Sequence, residues 1–451
     1  MANINVNFSK TVAQIKPMHA VGQPPFSGGF LSFDFSHIQY LQDANIPYSR
    51  LHDVGGEFGG NRFVDIPNIF RDFDADENDP ESYDFAFTDV LLKALKEYGV
   101  EPYFRLGVTI ENQAHIKAYR IHPPKDYDKW ARICEHIVRH YNEGWADGFY
   151  YGIKYWEIWN EPENGAPGRN QMWTGTAEQF YRLYDVTAKH LKSCFGDSIM
   201  VGGYGMSGLY GLYYHPEKYG IDVPKREPDE RYETDTYRIE FFHGFLEYIK
   251  EHKSPIDYFS WHSYANLEKT LVIDSYIYRK LCEYGHGDLE QHLNEWNNAH
   301  VPTLHGTSYA SAANAAMMLA FAESGHVDMM HYYDAKITAS TYGGFFAPLT
   351  FEPVSTYYTF YAYGQLYTLK NQVECNITDR PSGLYTLAAS DGEKKAVMIV
   401  NFSEESRDIT LDATDNMTVC LIDKDHYISE TNLSPNNFTL EANQIAFIKN
   451  Y

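Results

Sequence analysis

Two short stretches carry residue types able to do chemistry together. One is Trp156-Glu157-Ile158-Trp159-Asn160-Glu161-Pro162-Glu163 and the other is His292-Leu293-Asn294-Glu295-Trp296-Asn297. Cleavage of a glycosidic bond needs two carboxyl groups facing each other across a pocket. One protonates the departing oxygen, and the other attacks the anomeric carbon or activates a water. Glu161 and Glu295 are the candidates. Strand alternation sets Glu157, Trp159 and Glu161 on one side and Asn160 on the other unless the chain breaks there. Pro162, which restricts Glu161 to extended conformations, marks the place for such a break. The two carboxyls must differ in pKa, and Trp159 with Glu157 or Glu163 is expected to keep the acid protonated.

Other constellations lead nowhere. The histidines show no HExxH spacing, and the acidic run 72–79 lacks the glycine and terminal glutamate of a calcium loop. Ser207 lacks the Gly-x-Ser-x-Gly spacing of a nucleophile elbow. No metal and no cofactor are expected.

The elements that must position Glu161 and Glu295 follow from periodicity. From about residue 18 to 345, β-type runs alternate with helix-type runs, the grammar of βα units and a parallel sheet. Trp130, Ile133, Cys134, Ile137, Val138 and Tyr141, for example, share one helical face. The strand runs are 18–23, 48–53, 102–108, 153–159, 199–204, 258–264, 289–296 and 328–333. Eight such units close most economically into a (β/α)8 TIM barrel, with the active site at the C-terminal strand ends. The two glutamate motifs then end strands four and seven, on opposite sides of the mouth. No glycine-rich phosphate loop follows the first strand to favour an open doubly wound sheet. After about residue 365 the pattern becomes short alternating strands at 384–388, 396–401, 417–422 and 445–448, which predicts a β-sandwich. The expected division is a barrel over 16–365 and an appended sandwich over 366–451, joined by a strand from residues 1–15.

With these residues in view, the sequence resembles glycoside hydrolase family 39, which holds β-xylosidases, α-L-iduronidases and some bacterial exopolysaccharide hydrolases. The likeness rests on Trp159-Asn160-Glu161-Pro162 with Asn294-Glu295-Trp296-Asn297. Ser49-Arg50-Leu51-His52-Asp53, Trp261-His262-Ser263-Tyr264 and Gly343-Gly344-Phe345 add to it. The resemblance implies a retaining hydrolase with Glu161 as general acid/base and Glu295 as nucleophile. Asn160 would meet the sugar 2-hydroxyl, Arg50 and Tyr264 would orient Glu295 and keep it ionised, and His52 and His262 would contact ring hydroxyls. Trp159, Tyr333 and Phe345 complete the expected substrate-binding set. Where related enzymes carry a tryptophan at the end of strand eight, this chain reads His331-Tyr332-Tyr333-Asp334, so Tyr333 would form a smaller platform with a hydroxyl. The expected substrate is a plant or bacterial oligo- or polysaccharide, cleaved in the manner of a β-xylosidase. The alternatives are an endo-acting exopolysaccharide hydrolase, an inverting enzyme using the same two glutamates, and a catalytically silent carbohydrate-binding barrel.

Composition agrees with a large folded carbohydrate-active protein. The 451 residues carry a formal charge of −24 with no basic run, which disfavours nucleic acid as a partner. Aromatic residues make up 16%, including 38 Tyr, and their apolar faces with polar tips suit sugar rings. Cys134, Cys194, Cys282, Cys375 and Cys420 are scattered without CxxC spacing and are expected to be free, mostly buried thiols. The small-residue run 310–322 is too short to cross a bilayer, so no membrane partner is expected. No signal peptide is read at the start. A periplasmic or extracellular location is expected if one was trimmed, and a cytoplasmic one otherwise.

Overall fold

The computed structural model describes residues 2–28, 32–54, 63–109, 121–337, 342–412 and 416–451. Eight strands close into a barrel: Ala20–Gly22, Tyr48–Leu51, Glu101–Leu106, Tyr155–Ile158, Met200–Met206, Tyr258–Ser263, Glu290–Trp296 and Met329–Tyr332, numbered here first to eighth in chain order. They follow one another around the barrel in that order. Neighbouring strands pair in parallel, with Phe104 opposite Trp156 and Trp156 opposite Val201 as examples. The strand residues are almost wholly buried, as a parallel sheet covered on both faces requires.

By the density of internal contacts the chain divides into two units. The first holds residues 1–47, 264–271 and 296–451, and the second holds 48–263 and 272–295. Within the second unit, helix Tyr127–Asn142 buries Trp130, Ile133, Cys134, Ile137, Val138 and Tyr141, the face its spacing predicts. Helix Ala177–Phe195 opens on a capping box, in which the Thr176 hydroxyl accepts from the Gln179 amide and the Gln179 side chain accepts from that of Thr176.

Within the first unit lies a nine-stranded, mostly antiparallel sheet. Strand Ala2–Gln14 runs antiparallel to Asn371–Thr378 on one side and parallel to Arg407–Asp412 on the other. Residues 1–15 thus do supply a sheet strand. Strands 371–378, 407–412, 427–430 and 437–440 go beyond the four read from alternation. The core joins Ile4, Val397, Ile399, Leu421 and Ile448 with Ile409, Phe438 and Leu440 from the far flank of the strand order, so the sheet folds back over its own apolar face. The same sheet packs on helices Ser308–Ser324 and Ser355–Thr368, and the expected boundary at 365/366 falls inside the latter. Helix Ser308–Ser324 is buried on every side from Ala310 to Phe321, which its run of alanines permits. Among the described residues no helix is long and apolar enough to cross a membrane.

The cysteines are free, but only Cys134 and Cys420 are buried. Cys194 and Cys375 are half-buried and Cys282 is exposed. The expectation of mostly buried thiols is corrected accordingly, because apolar character alone does not say which helix face a residue takes.

Candidate active site

The fourth strand ends at Ile158, and the chain breaks immediately afterwards. Trp159 and Glu161 take left-handed backbone conformations, with φ of 75° and 44°. Such conformations are costly for bulky residues and persist where surrounding structure fixes them. Here the Trp159 amide donates to Leu106 O at 2.8 Å and the Glu161 amide to Gly205 O at 3.0 Å. Pro162 then occupies the second position of a turn closed by Asn164 N–H to Glu161 O at 3.0 Å.

The break overturns simple alternation. Trp159 does not share a side with Glu157 and Glu161. Its indole packs against Trp130 and Trp173, donates to Met172 O at 3.1 Å and is 1% exposed, so it offers no face to a sugar. Asn160 and Glu157 instead meet at one guanidinium. Arg50, at the end of the second strand, donates from Nε to Glu157 (2.8 Å), from Nη1 to Glu295 (3.0 Å) and from Nη2 to Asn160 Oδ1 (2.6 Å). Burial disfavours the charged Arg50, but Glu157 and Glu295 outweigh it and raise its pKa. The other oxygen of Glu157 accepts from Ser260 (2.7 Å) and Asn294 (2.5 Å). With Oδ1 held by Arg50, the Asn160 amide can turn only its N–H donors toward a ligand.

Glu161 and Glu295 come together. His262 Nδ1 lies 2.7 Å from Glu161 Oε1 and 3.7 Å from Glu295 Oε2. One oxygen of each carboxyl and a ring nitrogen of His262 all lie within 4.8 Å of one another. Burial pushes the Glu161 carboxyl up, yet the hydrogen bond and charge of His262, with Arg238 and Arg50 beyond, hold it below its ordinary value. Glu163 is the carboxyl driven the other way. It is fully buried, accepts from the Ser207 amide at 2.6 Å, and is raised to about 8 by burial and then by the charge of Glu161. The expectation that the environment keeps Glu161 itself protonated is therefore corrected for the unliganded chain.

His52 is buried beside Asp53 (3.2 Å), and burial together with Arg105 and Arg50 drives its pKa well below the ordinary range, so it is neutral. Gly205 lets the fifth strand press against this cluster, since a Cβ there would stand 2.9 Å from Arg50 Nη2, 3.1 Å from Asn160 Oδ1 and 3.2 Å from His262 Nε2. The sequence does not single out Gly205, Ser260, Asn164 or Arg238. Only Asn294 and Glu157 stood inside the quoted motifs.

Three expected site residues belong to the first unit. Tyr264 packs its ring near Tyr333, Tyr342 and His300. The Tyr333 hydroxyl accepts from Gln23 at 2.5 Å. Phe345 is fully buried, stacked on Tyr332 at 5.2 Å and packed against Phe360, so it is core and not a sugar contact.

Among the described residues one other cluster has metal-ligand composition, Glu135, His190 and Cys194. Both Glu135 oxygens are already engaged, by Arg139 at 2.7 Å and by His190 at 2.6 Å, which makes the cluster an ion pair. The acidic loop 72–79 is likewise paired, Glu77 with Lys129 and Arg132 and Asp74 with Lys125.

Comparison with known proteins assigns the family. A family model described as glycosyl hydrolases family 39 matches residues 53–318, more than half of the chain. The chain belongs to glycosyl hydrolases family 39. Within the family, it is 24% identical over 308 residues to a beta-xylosidase of Geobacillus stearothermophilus, covering 61% of this chain and 53% of that protein. It is 29% identical over 131 residues to a beta-xylosidase of Caldicellulosiruptor saccharolyticus, covering 27% of this chain and 25% of the other. The matches thus span about half or less of these relatives' own length. In fold, this family-39 chain is similar to a glucosidase from Croceicoccus marinus, with a TM-score of 0.77 at 21% identity over 100% of this chain and 98% of the other. A family-39 beta-xylosidase from Caulobacter crescentus gives a TM-score of 0.65 at 16% identity over 99% of both chains.

Proposed function

We propose that this family-39 protein is a retaining glycoside hydrolase of β-xylosidase type, in which Glu295 is the nucleophile and Glu161 the general acid/base. The observation that carries the reading is the close approach of the two carboxyls, with one oxygen from each within 4.8 Å of the other. Double displacement works with carboxyl groups about 5 to 5.5 Å apart, whereas an inverting enzyme needs about 6.5 to 9.5 Å to fit a water. The close approach supports the first.

In the first step Glu295, oriented by the hydrogen bond from Arg50, attacks the anomeric carbon and the glycosidic bond breaks. The departing oxygen takes its proton from the Glu161 carboxyl, which exchanges it with His262 across their 2.7 Å hydrogen bond. In the second step ionised Glu161 takes a proton from the incoming water, which displaces Glu295 and releases the sugar with its original anomeric configuration. The Asn160 amide donates to the sugar 2-hydroxyl. His52, being neutral, contacts a ring hydroxyl without adding charge. We further propose that the closed barrel carries the catalysis.

The test is chromophore release from a panel of aryl β-D- and α-L-glycosides, with NMR of the first-formed anomer. We expect hydrolysis of an aryl xyloside with retained configuration. Glu295→Gln should lose turnover by several orders of magnitude, and Glu161→Ala should lose least on the best leaving groups. An inverted first product, or equal losses for Glu161→Ala across all leaving groups, overturns the assignment.

A further inference from the structure

Glu161 is held at both oxygens, and the second holder is a residue to which the reading above gives no role. Oε1 meets His262, while Oε2 accepts from Asn164 Nδ2 at 2.7 Å. Asn164 also closes the turn by donating its backbone N–H to Glu161 O at 3.0 Å. An amide can be turned end for end at little cost unless something distinguishes its two ends. Arg238, from helix Tyr232–His252, makes that distinction by donating from Nη2 to Asn164 Oδ1 at 3.1 Å. A reversed amide would set its oxygen against the Glu161 carboxyl and its NH2 against the guanidinium, and both contacts would repel. Arg238 is itself buried and anchored one helical turn back, Nη1 to Asp235 Oδ1 at 3.1 Å.

We propose that Asn164, oriented by Arg238, is a positioning residue for Glu161. It fixes Oε2 and supplies an N–H donor that stabilises the ionised carboxylate the second step needs, leaving Oε1 for proton exchange. This rests on the reading of Glu161 as acid/base. The groups facing Glu161 are His262 from the sixth strand, Glu295 from the seventh, Arg50 from the second, Arg238 and Asp235 from the helix, and Glu163 from its own turn. Among these described neighbours, His262 and Asn164 are the side chains hydrogen-bonded to the Glu161 carboxyl. Loss of the Asn164 donor therefore favours the protonated form and raises the Glu161 pKa.

The sign of the effect separates positioning from mere structural support. Glycosylation needs Glu161 protonated, so the alkaline limb of kcat/KM follows its pKa. Asn164→Ala should move that limb upward by about one pH unit, the worth of one hydrogen bond to a charged group. Asn164→Asp, with a carboxylate in place of the donor, should move it at least as far. Arg238→Met, which frees the amide to turn, should give a smaller shift in the same direction. Circular dichroism and urea midpoints identify folded variants, and Asn164→Ser replaces Asn164→Ala if the latter does not fold. A limb that stays at the wild-type pH in a folded Asn164 variant overturns the proposal, even when kcat falls. Leaving-group dependence of Glu161→Ala, run beside it, keeps the two readings apart. If Glu161→Ala behaves as an acid/base variant and the limb does not move, only the positioning role fails. If Glu161→Ala shows no leaving-group dependence, the assignment of Glu161 fails and takes this inference with it.

Discussion

At the scale of single residues, Arg50 decides the electrostatics of the cluster. One guanidinium, 1% exposed, serves Glu157, Glu295 and Asn160 in three directions, and no other side chain could reach all three with fixed geometry. Glu157 is fully buried, and its remaining oxygen is satisfied by neutral donors alone, so Arg50 is its counterion. Removing one member of such a buried pair leaves an uncompensated charge. Arg50→Ala is expected to destabilise by about 3–5 kcal/mol, read from urea unfolding. Arg50→Lys should recover only part of that and little of the activity, because a point charge cannot replace the fork. A small loss in Arg50→Ala would mean that the Arg50 ion pairs contribute little to the fold.

At the scale of elements, the segment after the fourth strand does most to build the site. The left-handed residues turn Trp159 into the helix layer and bring Asn160 and Glu161 to the mouth, and the chain then enters helix Ala177–Phe195. That helix starts firmly because Thr176 and Gln179 satisfy two orphan amides reciprocally, and it ends where Gly196 adopts a φ of 53°. Thr176→Ala should cost about 1 kcal/mol, seen as a lower urea midpoint with an unchanged slope. A changed slope would instead indicate that the helix frays and alters the surface exposed on unfolding. The helix face around Trp130 was legible in the sequence. The limit of the antiparallel sheet with its helices was not. Nothing local in Ser355–Thr368 says that its apolar face packs on the sheet, so a boundary drawn from the change of pattern ran through the helix.

At the scale of the whole molecule, buried titratable groups set how stability follows pH. His19 is completely buried, and burial lowers its pKa to about 3 against 6.5 in the unfolded chain. Below pH 6.5 the unfolded chain takes up a proton the folded chain refuses, so stability falls as pH drops toward about 3. Neutral His52 acts in the same sense. Glu290, lowered to about 2 by its hydrogen bond to His292, adds stability that is present above about 4.5 and lost as pH falls through about 2. Glu163 works in the opposite direction. Raised to about 8 from 4.5, it holds a proton that the unfolded chain has released, so stability falls as pH rises across that window. His19 and Glu163 oppose each other between about 4.5 and 6.5. With His52 adding to His19, stability still rises with pH there, less steeply than the two histidines alone would give, and from 6.5 toward 8 it falls by about 1.4 kcal/mol per pH unit. Urea midpoints from pH 3.5 to 8.5 check this, and Glu163→Gln should flatten the slope above 6.5 and steepen the rise between about 4.5 and 6.5.

The sequence by itself determined the eight βα units and the two glutamates at the ends of the fourth and seventh strands, because strand and helix periodicity and the residues that end each element are local properties. It also marked Arg50, Asn160 and His262, since residues near the C-terminal end of a parallel strand are carried to the barrel mouth wherever the rest of the chain goes. Only the tertiary structure decided which neighbours those residues meet. Trp159 left the site because two left-handed residues break the alternation, and Phe345 because an aromatic core receives it. Glu163, not Glu161, became the carboxyl kept protonated, because burial and a nearby like charge act on it without a compensating cation close enough to outweigh them. Asn164 met its fixing partner Arg238 from 74 positions away, a pairing that no local spacing encodes. Charge and orientation at a site depend on what other elements bring to it, and that is settled only when the chain packs.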